Sequence, residues 1–333
     1  MKVCIYGLGA IGGLMAARLA RAGLPVNAVA RGATLDAVRR DGLALVERDG
    51  DAERRTVVPV TASDRPAELG VQDLVVLSVK TTALAQVARE IAPLVGPGTA
   101  VLSAMNGLQW WFFHGLTAAP PGLSLATVDP DGALARAVPA SAVVGCVTHL
   151  SASTVAPGVV RHGVGDRLIV GEPVGGQSAR SRAVVDLLVH AGFAVEASEC
   201  IQRDVWYKLW GNMTMNPVSA ITGATADRIL DDDFVRGFLS ACMLEASAIG
   251  ARIGLPIEGT PEARHAVTRR LGAFRTSMLQ DVEGGRAVEL DALVASVAEI
   301  GRAVGVPTPN VDTLLGLARL HARVRGLYPE AGR

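Results

Sequence analysis

Apolar residues follow two rhythms along this chain, and the change between them divides it. In the first part, short unbroken apolar runs alternate with stretches that place apolar residues every three or four positions. The runs at 2–6, 25–30 (PVNAVA), 73–79 (DLVVLSV) and 99–105 (TAVLSAM) read as buried strands. Residues 10–22 carry Ile11, Leu14, Met15 and Leu19 at helical spacing before Gly23, and 82–94 reads as a second helix. Strands alternating with helices point to βαβ units and a parallel sheet. Further strands are expected at 141–150, 158–164, 167–172 and 193–197, with a helix at 178–191. Residues 117–140 are rich in Ala, Pro, Gly and Asp and read as a surface excursion. After about residue 199 helical periods take over, at 201–222, 231–253, 260–271, 287–303 and 310–325. The expected architecture is a doubly wound α/β domain over 1–199 and an all-helical domain over 200–333, with a ligand cleft between them.

A length of 333 residues suits two domains. Lys plus Arg and Asp plus Glu both number 32, so no basic excess points to a nucleic-acid partner. Cys4, Cys146, Cys200 and Cys242 are scattered without a CxxC pair, and the six histidines form no ligand cluster. Buried reduced thiols and no metal are therefore expected. Arg18, Arg21 and Arg31 interrupt the N-terminal apolar run, which argues against a signal peptide. No stretch reaches the roughly 18 uncharged apolar residues of a spanning helix, so a cytoplasmic protein without a membrane partner is expected.

The first candidate chemistry lies in the turn after the first strand. GLGAIGG sets Gly7, Gly9 and Gly12 in a GxGxxG pattern, with Leu8, Ala10 and Ile11 between them. Gly7 permits a tight turn, Gly9 lets the backbone approach a pyrophosphate, and Gly12 lets helix and strand pack closely. The helix N-terminus then presents free N–H groups to phosphate, a Rossmann-like dinucleotide site. An NAD site usually carries an acid about 20 residues further on. Here Ala30 is followed by Arg31, whose fixed charge and forked donors suit the 2′-phosphate of NADP (NADPH). A solvated loop arginine is the alternative. Lys80 in SVKTT and Asn106 in MNG follow two strands at their carboxyl ends, where doubly wound sheets bind ligands. Each is equally acceptable as a turn residue.

In the helical half, DVWYKLWGNMTMNPVSA (204–220) places Lys208, Asn212 and Asn216 on one helical stripe amid Trp206, Leu209, Trp210, Met213 and Met215. Such a stripe needs hydrogen-bonding partners, either another helix or a bound polar molecule. Pro217 gives a reason for a kink just beyond it. TSMLQDVEGGRAVELDAL (276–293) sets Ser277, Asp281, Glu289 and Asp291 around Gly284–Gly285. Glu289 opens a helix, where a carboxylate favours the dipole; its other role would be to pair with a lysine.

Taken in order, GLGAIGG, ARG, SVKTT, MNG, VWYKLWGNMTMNP and TSMLQDVEGGRAVELDAL resemble the ketopantoate reductases (2-dehydropantoate 2-reductases) along essentially the whole chain. The resemblance implies NADPH-dependent reduction of a small-molecule 2-oxo acid. It implies Lys208 as general acid and Glu289 as its acidic partner. Ser277 resembles the contact to the substrate carboxylate, and Asn106, Asn212 and Asn216 the polar contacts to substrate or cofactor. Arg31 and Lys80 fall on the cofactor side, and a homodimer is one assembly open to such a chain. The chain departs from the family pattern in two places. Trp110 and Trp111 would add apolar wall to the cleft if their loop folds over it. Ala226 and Phe274 stand where some pantothenate-pathway members carry amides, which implies a more apolar pocket. Two alternatives are an opine- or imine-type reductase, which uses a His–Asp base, and a non-catalytic NADP-binding protein, which needs no proton donor. Neither main motif contains a histidine.

Overall fold

The strand–helix alternation of the first part builds an α/β unit. In the computed structural model, which describes residues 1–50 and 52–330, the elements run β1 (Val3–Tyr6), α1 (Ala10–Arg21), β2 (Val26–Val29), α2 (Gly32–Asp41), β3 (Leu43–Asp49), β4 (Ala52–Val58), β5 (Thr61–Ser63), β6 (Leu74–Leu77), α3 (Leu84–Glu90), β7 (Ala100–Ser103), α4 (Ala133–Ala137), β8 (Val143–His149), β9 (Ala152–Ala156), β10 (Val159–His162), β11 (Arg167–Gly171), α5 (Ala179–His190) and β12 (Ala194–Ser198). The larger sheet has the order β12-β11-β8-β7-β6-β1-β2-β5. Strands from β5 across to β8 are parallel, β11 is antiparallel to β8, and β12 is parallel to β11. Chain order reverses between β1 and β6, the switch point of a doubly wound sheet. Both strands there are buried throughout, as parallel strands covered on both faces must be.

A second sheet, β4-β3-β10-β9, contains one expected strand, β10 within 158–164, and three that were not expected. Strand β4 (AERRTVV) is exposed along most of its length, so it lacks the apolar run that marks a buried strand. Helix α1 packs against strands of both sheets and is buried from Gly12 through Leu19, which explains why it is apolar beyond a single stripe. Arg18 on that helix is only 6% exposed. It is held by Glu47 at 3.3 Å and Asp166 at 2.5 Å, and Arg21 also pairs with Glu47.

The chain divides into two compact units, but not at one point. Met1–Met105 and Asp131–Asp204 form the α/β unit; Asn106–Pro130 joins the residues from Val205 onward. The unbroken span 1–199 expected for the first domain therefore includes a segment that belongs to the helical unit. The physical reason is apolar: Leu108, Trp111 and Phe112 are at most 1% exposed, and the Phe112 ring lies 6.1 Å from Trp206. Nor is the following stretch simply a surface excursion. Leu125 is buried, and Glu299 accepts hydrogen bonds from the Ala126 and Thr127 backbone N–H groups.

The helical elements are α6 (Ile201–Thr222), α7 (Ala226–Asp231), α8 (Asp233–Arg252), α9 (Pro261–Arg269), α10 (Ser277–Glu283), α11 (Ser296–Ala303) and α12 (Pro309–Val324). Pro217 lies inside α6. Asp232, Thr260 and Thr276 cap α8, α9 and α10 through their side chains. Helix α8 is long and apolar enough to cross a membrane by length and composition alone. It nevertheless packs against α7, α9, α11 and α12, and its Glu245 accepts the Asn310 and Val311 N–H groups at the start of α12. Cys4, Cys146 and Cys242 are buried free thiols and Cys200 is half-buried. Burial pushes Cys4 and Cys242 up to about 12.

Candidate functional site

In the α/β unit, the loops after β1, β2 and β6 enclose a cavity of about 240 Å³. Gly7 and Leu8 line it from β1, Ala30 and Arg31 from β2, and Val79 and Ala83 from the loop after β6. These are the carboxyl ends of adjacent parallel strands at the switch point, where such sheets take their ligands. The glycines set the spacing. Gly7 has φ +103°, in the region that favours glycine. A Cβ on Gly12 would lie 2.1 Å from both the Gly7 carbonyl oxygen and Ser78 Oγ, so α1 can approach β1 only with glycine there. Above Gly9, the residue preceding α1, a Cβ would meet no protein atom within 4 Å. Open space over a helix N-terminus, with Ala10, Ile11 and Gly12 in its first turn, fits a dinucleotide phosphate.

Arg31 precedes α2 and lines the cavity, but its guanidinium is not bare. Nη2 donates to Glu90 Oε2 at 2.5 Å, and the Tyr6 hydroxyl donates to the same oxygen at 3.2 Å. Burial, followed by the Glu90 charge, pushes the Tyr6 phenol well above its ordinary value. Lys80 lies just past β6 at the start of the turn Thr81–Ala83.

The helical unit holds the other group of residues. Lys208 Nζ on α6 donates to Asn106 Oδ1 at 2.7 Å. Asn212 is half-buried and Asn216 is 5% exposed, and neither side chain makes a hydrogen bond among the described residues. Among the described residues, no other helix hydrogen-bonds these amides. Glu289, half-buried, immediately precedes a helix that starts at Leu290 rather than at 287. That helix opens with a π turn over Asp291–Ala295, where the Ser296 N–H reaches back to the Asp291 carbonyl. The Ala292 carbonyl accepts the Leu108 N–H at 2.8 Å, and a Cβ on Gly107 would lie 2.6 Å from the same oxygen. The Asn106 loop is thereby fastened to the helix that follows Glu289. Ser277 is exposed on the first turn of α10, without a side-chain hydrogen bond among the described residues.

Residues 3–111 match the family model described as Ketopantoate reductase PanE/ApbA, and residues 200–322 match Ketopantoate reductase PanE/ApbA C terminal. A 2-dehydropantoate 2-reductase from Mesorhizobium japonicum is 42% identical over 98% of this chain and 100% of that protein. The chain belongs to the ketopantoate reductase family. A solved structure from Ralstonia solanacearum MolK2, provisionally described as a ketopantoate reductase, is 57% identical, with a TM-score of 0.92 over 98% of this chain and 99% of that one. The 2-dehydropantoate 2-reductase of Geobacter metallireducens GS-15 is 27% identical, with a TM-score of 0.83 over 96% and 99% of the two chains. The ketopantoate reductases are NAD(P)-dependent oxidoreductases.

Within this ketopantoate reductase family member, the departures noted in the sequence acquire places. Ala226 is fully buried and its N–H donates to the Phe274 carbonyl at 2.9 Å, so the two positions meet. Trp111 is interior rather than a loop wall: it is 1% exposed, and its indole N–H donates to Gln109 Oε1. Trp110 is half-buried. Two participants escaped the sequence reading, Glu90 and Ala292. For Ala292 the signal was the glycine of MNG, because a Gly after a strand often marks a close approach or positive φ.

Proposed function

We infer that this protein reduces a 2-oxo acid, 2-dehydropantoate or a related branched acid, to the 2-hydroxy acid with NADPH. The observation that carries this reading is the bond from Lys208 to Asn106, with Lys208 on the same stripe as two amides that make no side-chain hydrogen bond among the described residues. Amides on one face with the lysine, Asn216 only 5% exposed, suit a bound polar molecule. A bound nicotinamide dinucleotide supplies the hydride to the carbonyl carbon. The Lys208 ammonium stabilises the negative charge that grows on the carbonyl oxygen and delivers its proton there. Asn106 aims that ammonium through its amide oxygen. Glu289 acts as the acidic partner that favours the charged lysine. Asn212 and Asn216 offer both donors and acceptors to the substrate, and the Ser277 hydroxyl is available for its carboxylate. In the α/β unit, residues 7–12 cradle the phosphates, Arg31 meets the 2′-phosphate, and Lys80 serves the cofactor side.

The test is oxidation of NADPH, followed by absorbance, with ketopantoate, 2-oxoisovalerate and phenylpyruvate under one set of conditions. Turnover of ketopantoate is expected, and no turnover of any 2-oxo acid would overturn the reading. A second reading rests on Ala226 and Phe274, apolar where some pantothenate-pathway members carry amides. In that reading a plain branched or aromatic 2-oxo acid is reduced at least as efficiently as ketopantoate, whose terminal hydroxyl needs a partner once buried. A kcat/KM for ketopantoate about 10⁴ above both others, the scale of a hydroxyl-matched site, would eliminate it.

A further inference from the structure

The end of β2 carries a cation where dinucleotide sites usually carry an acid, yet an acid reaches the same place from another element. Glu90 is the last residue of α3. Its Oε2 accepts from Arg31 Nη2 at 2.5 Å and from the Tyr6 hydroxyl at 3.2 Å, and its Oε1 accepts from Gln86 Nε2 at 3.0 Å. Tyr6, Arg31 and Gln86 all line the cavity at the switch point. Two neutral donors thus fix the carboxylate beside the guanidinium, which sets it apart from a loose surface pair. The Arg31 and Glu90 side chains are 41% and 32% exposed, open enough for the arginine to exchange partners.

We propose that Glu90 is a specificity-determining residue for the dinucleotide, competing with the 2′-phosphate for Arg31 and so narrowing the preference for NADPH over NADH. The inference rests on the reading that Arg31 meets that phosphate. A phosphate monoester carries nearly two negative charges at neutral pH. Drawn to the Arg31 fork, it faces the Glu90 carboxylate across the same guanidinium. The ribose hydroxyl of NADH carries no charge and can donate to a carboxylate, as in sites that bear an acid after the second strand. Glu90 therefore opposes one dinucleotide and not the other.

Dissociation constants for NADPH and NADH, measured by calorimetry without substrate, test this in the unmodified protein, Glu90→Gln and Glu90→Ala. Both variants should bind NADPH about tenfold more tightly, the scale of one charge pair at the surface of a site. NADH binding should be unchanged or weaker. An unaltered or lower preference for NADPH in both variants overturns the proposal and makes Glu90 a brace for Arg31. Arg31→Ala separates this failure from failure of the parent reading. It should weaken NADPH and spare NADH; if it changes neither, Arg31 does not meet a 2′-phosphate and the proposal falls with that reading.

Discussion

In the α/β unit, the groups around the cavity come from loops after neighbouring strands, and the absence of side chains at Gly7 and Gly12 sets their spacing. In the helical unit, the interacting groups Asn106 and Lys208 stand 102 residues apart. They are held through a backbone bond from a loop to an irregular turn of helix. The glycine turn at the base of the first arrangement follows from one short contiguous motif, GLGAIGG. The second needs three distant segments to fold first, and its geometry depends on a carbonyl that the π turn presents to Leu108.

The largest expected effect breaks the helical side of this comparison. Lys208→Ala should lower kcat/KM by about 10²–10⁴, the usual contribution of general acid catalysis, while NADPH binding measured by titration survives. Near-normal turnover would remove Lys208 from the chemistry.

Next come paired glycine substitutions, which address the two modes of close approach separately. Gly12→Ala and Gly107→Ala should each destabilise by about 1–3 kcal/mol, because each Cβ meets backbone that cannot yield easily. Gly107, at φ +78°, adds left-handed strain. Thermal melts measure that loss, and the functional readouts should divide. Gly12→Ala should weaken dinucleotide binding; Gly107→Ala should spare binding and lower turnover. Gly9→Ala is the control, with an unchanged melt and weaker binding, since its Cβ meets only open space. A destabilised Gly9→Ala would contradict the packing described for α1.

The smallest effect concerns acid. Burial pulls His265 in the helical unit below its ordinary value, with nearby Glu262 opposing and Arg236 among the charges that assist. The unfolded chain then binds that proton more readily than the folded one. Its contribution to stability is full above about pH 6.5 and is lost as pH falls towards the lowered folded value. In the α/β unit, burial alone would raise Glu47 and Glu172, but Arg21 and Arg18 on the one and Arg180 and Ser178 on the other hold both low. Their contribution is present above about pH 4.3 and fades only as pH falls through their lowered values. Trp110, Trp111, Trp206 and Trp210 all lie in the helical unit, so tryptophan fluorescence reports on that unit. Melts between about pH 6.5 and 5 should show the tryptophan signal losing stability before hydrogen exchange in β1 and β6 does. Simultaneous loss would refute separate acid responses.

The sequence reading reached the switch point because β1 and β6 are buried on both faces, which forces unbroken apolar runs that survive without tertiary information. It missed β4 because an exposed strand can be charged along its length, and it missed β3 because its buried apolar run, Leu43–Val46, is only four residues long before Glu47, Arg48 and Asp49. Arg31 was visible at a customary distance from the glycines. Glu90 was not, since it enters the same place from α3 rather than from the second strand. Lys208, Asn212 and Asn216 were visible as a helical stripe, whereas the π turn that fastens Asn106 reflects packing of Gly107 on Ala292, for which ELDAL alone carries no mark.

The detour of Asn106–Pro130 into the helical unit also sets an order of events during synthesis. The α/β unit encloses this segment in sequence, so Trp111 and Phe112 leave the ribosome well before the helix that covers them. Asn106 emerges 102 residues ahead of Lys208. At about 5–20 residues per second, that wait lasts about 5–20 seconds. Throughout it a nascent chain with a nearly complete parallel sheet carries a naked aromatic loop, the kind of surface that chaperones hold and that neighbouring chains on a polysome can capture.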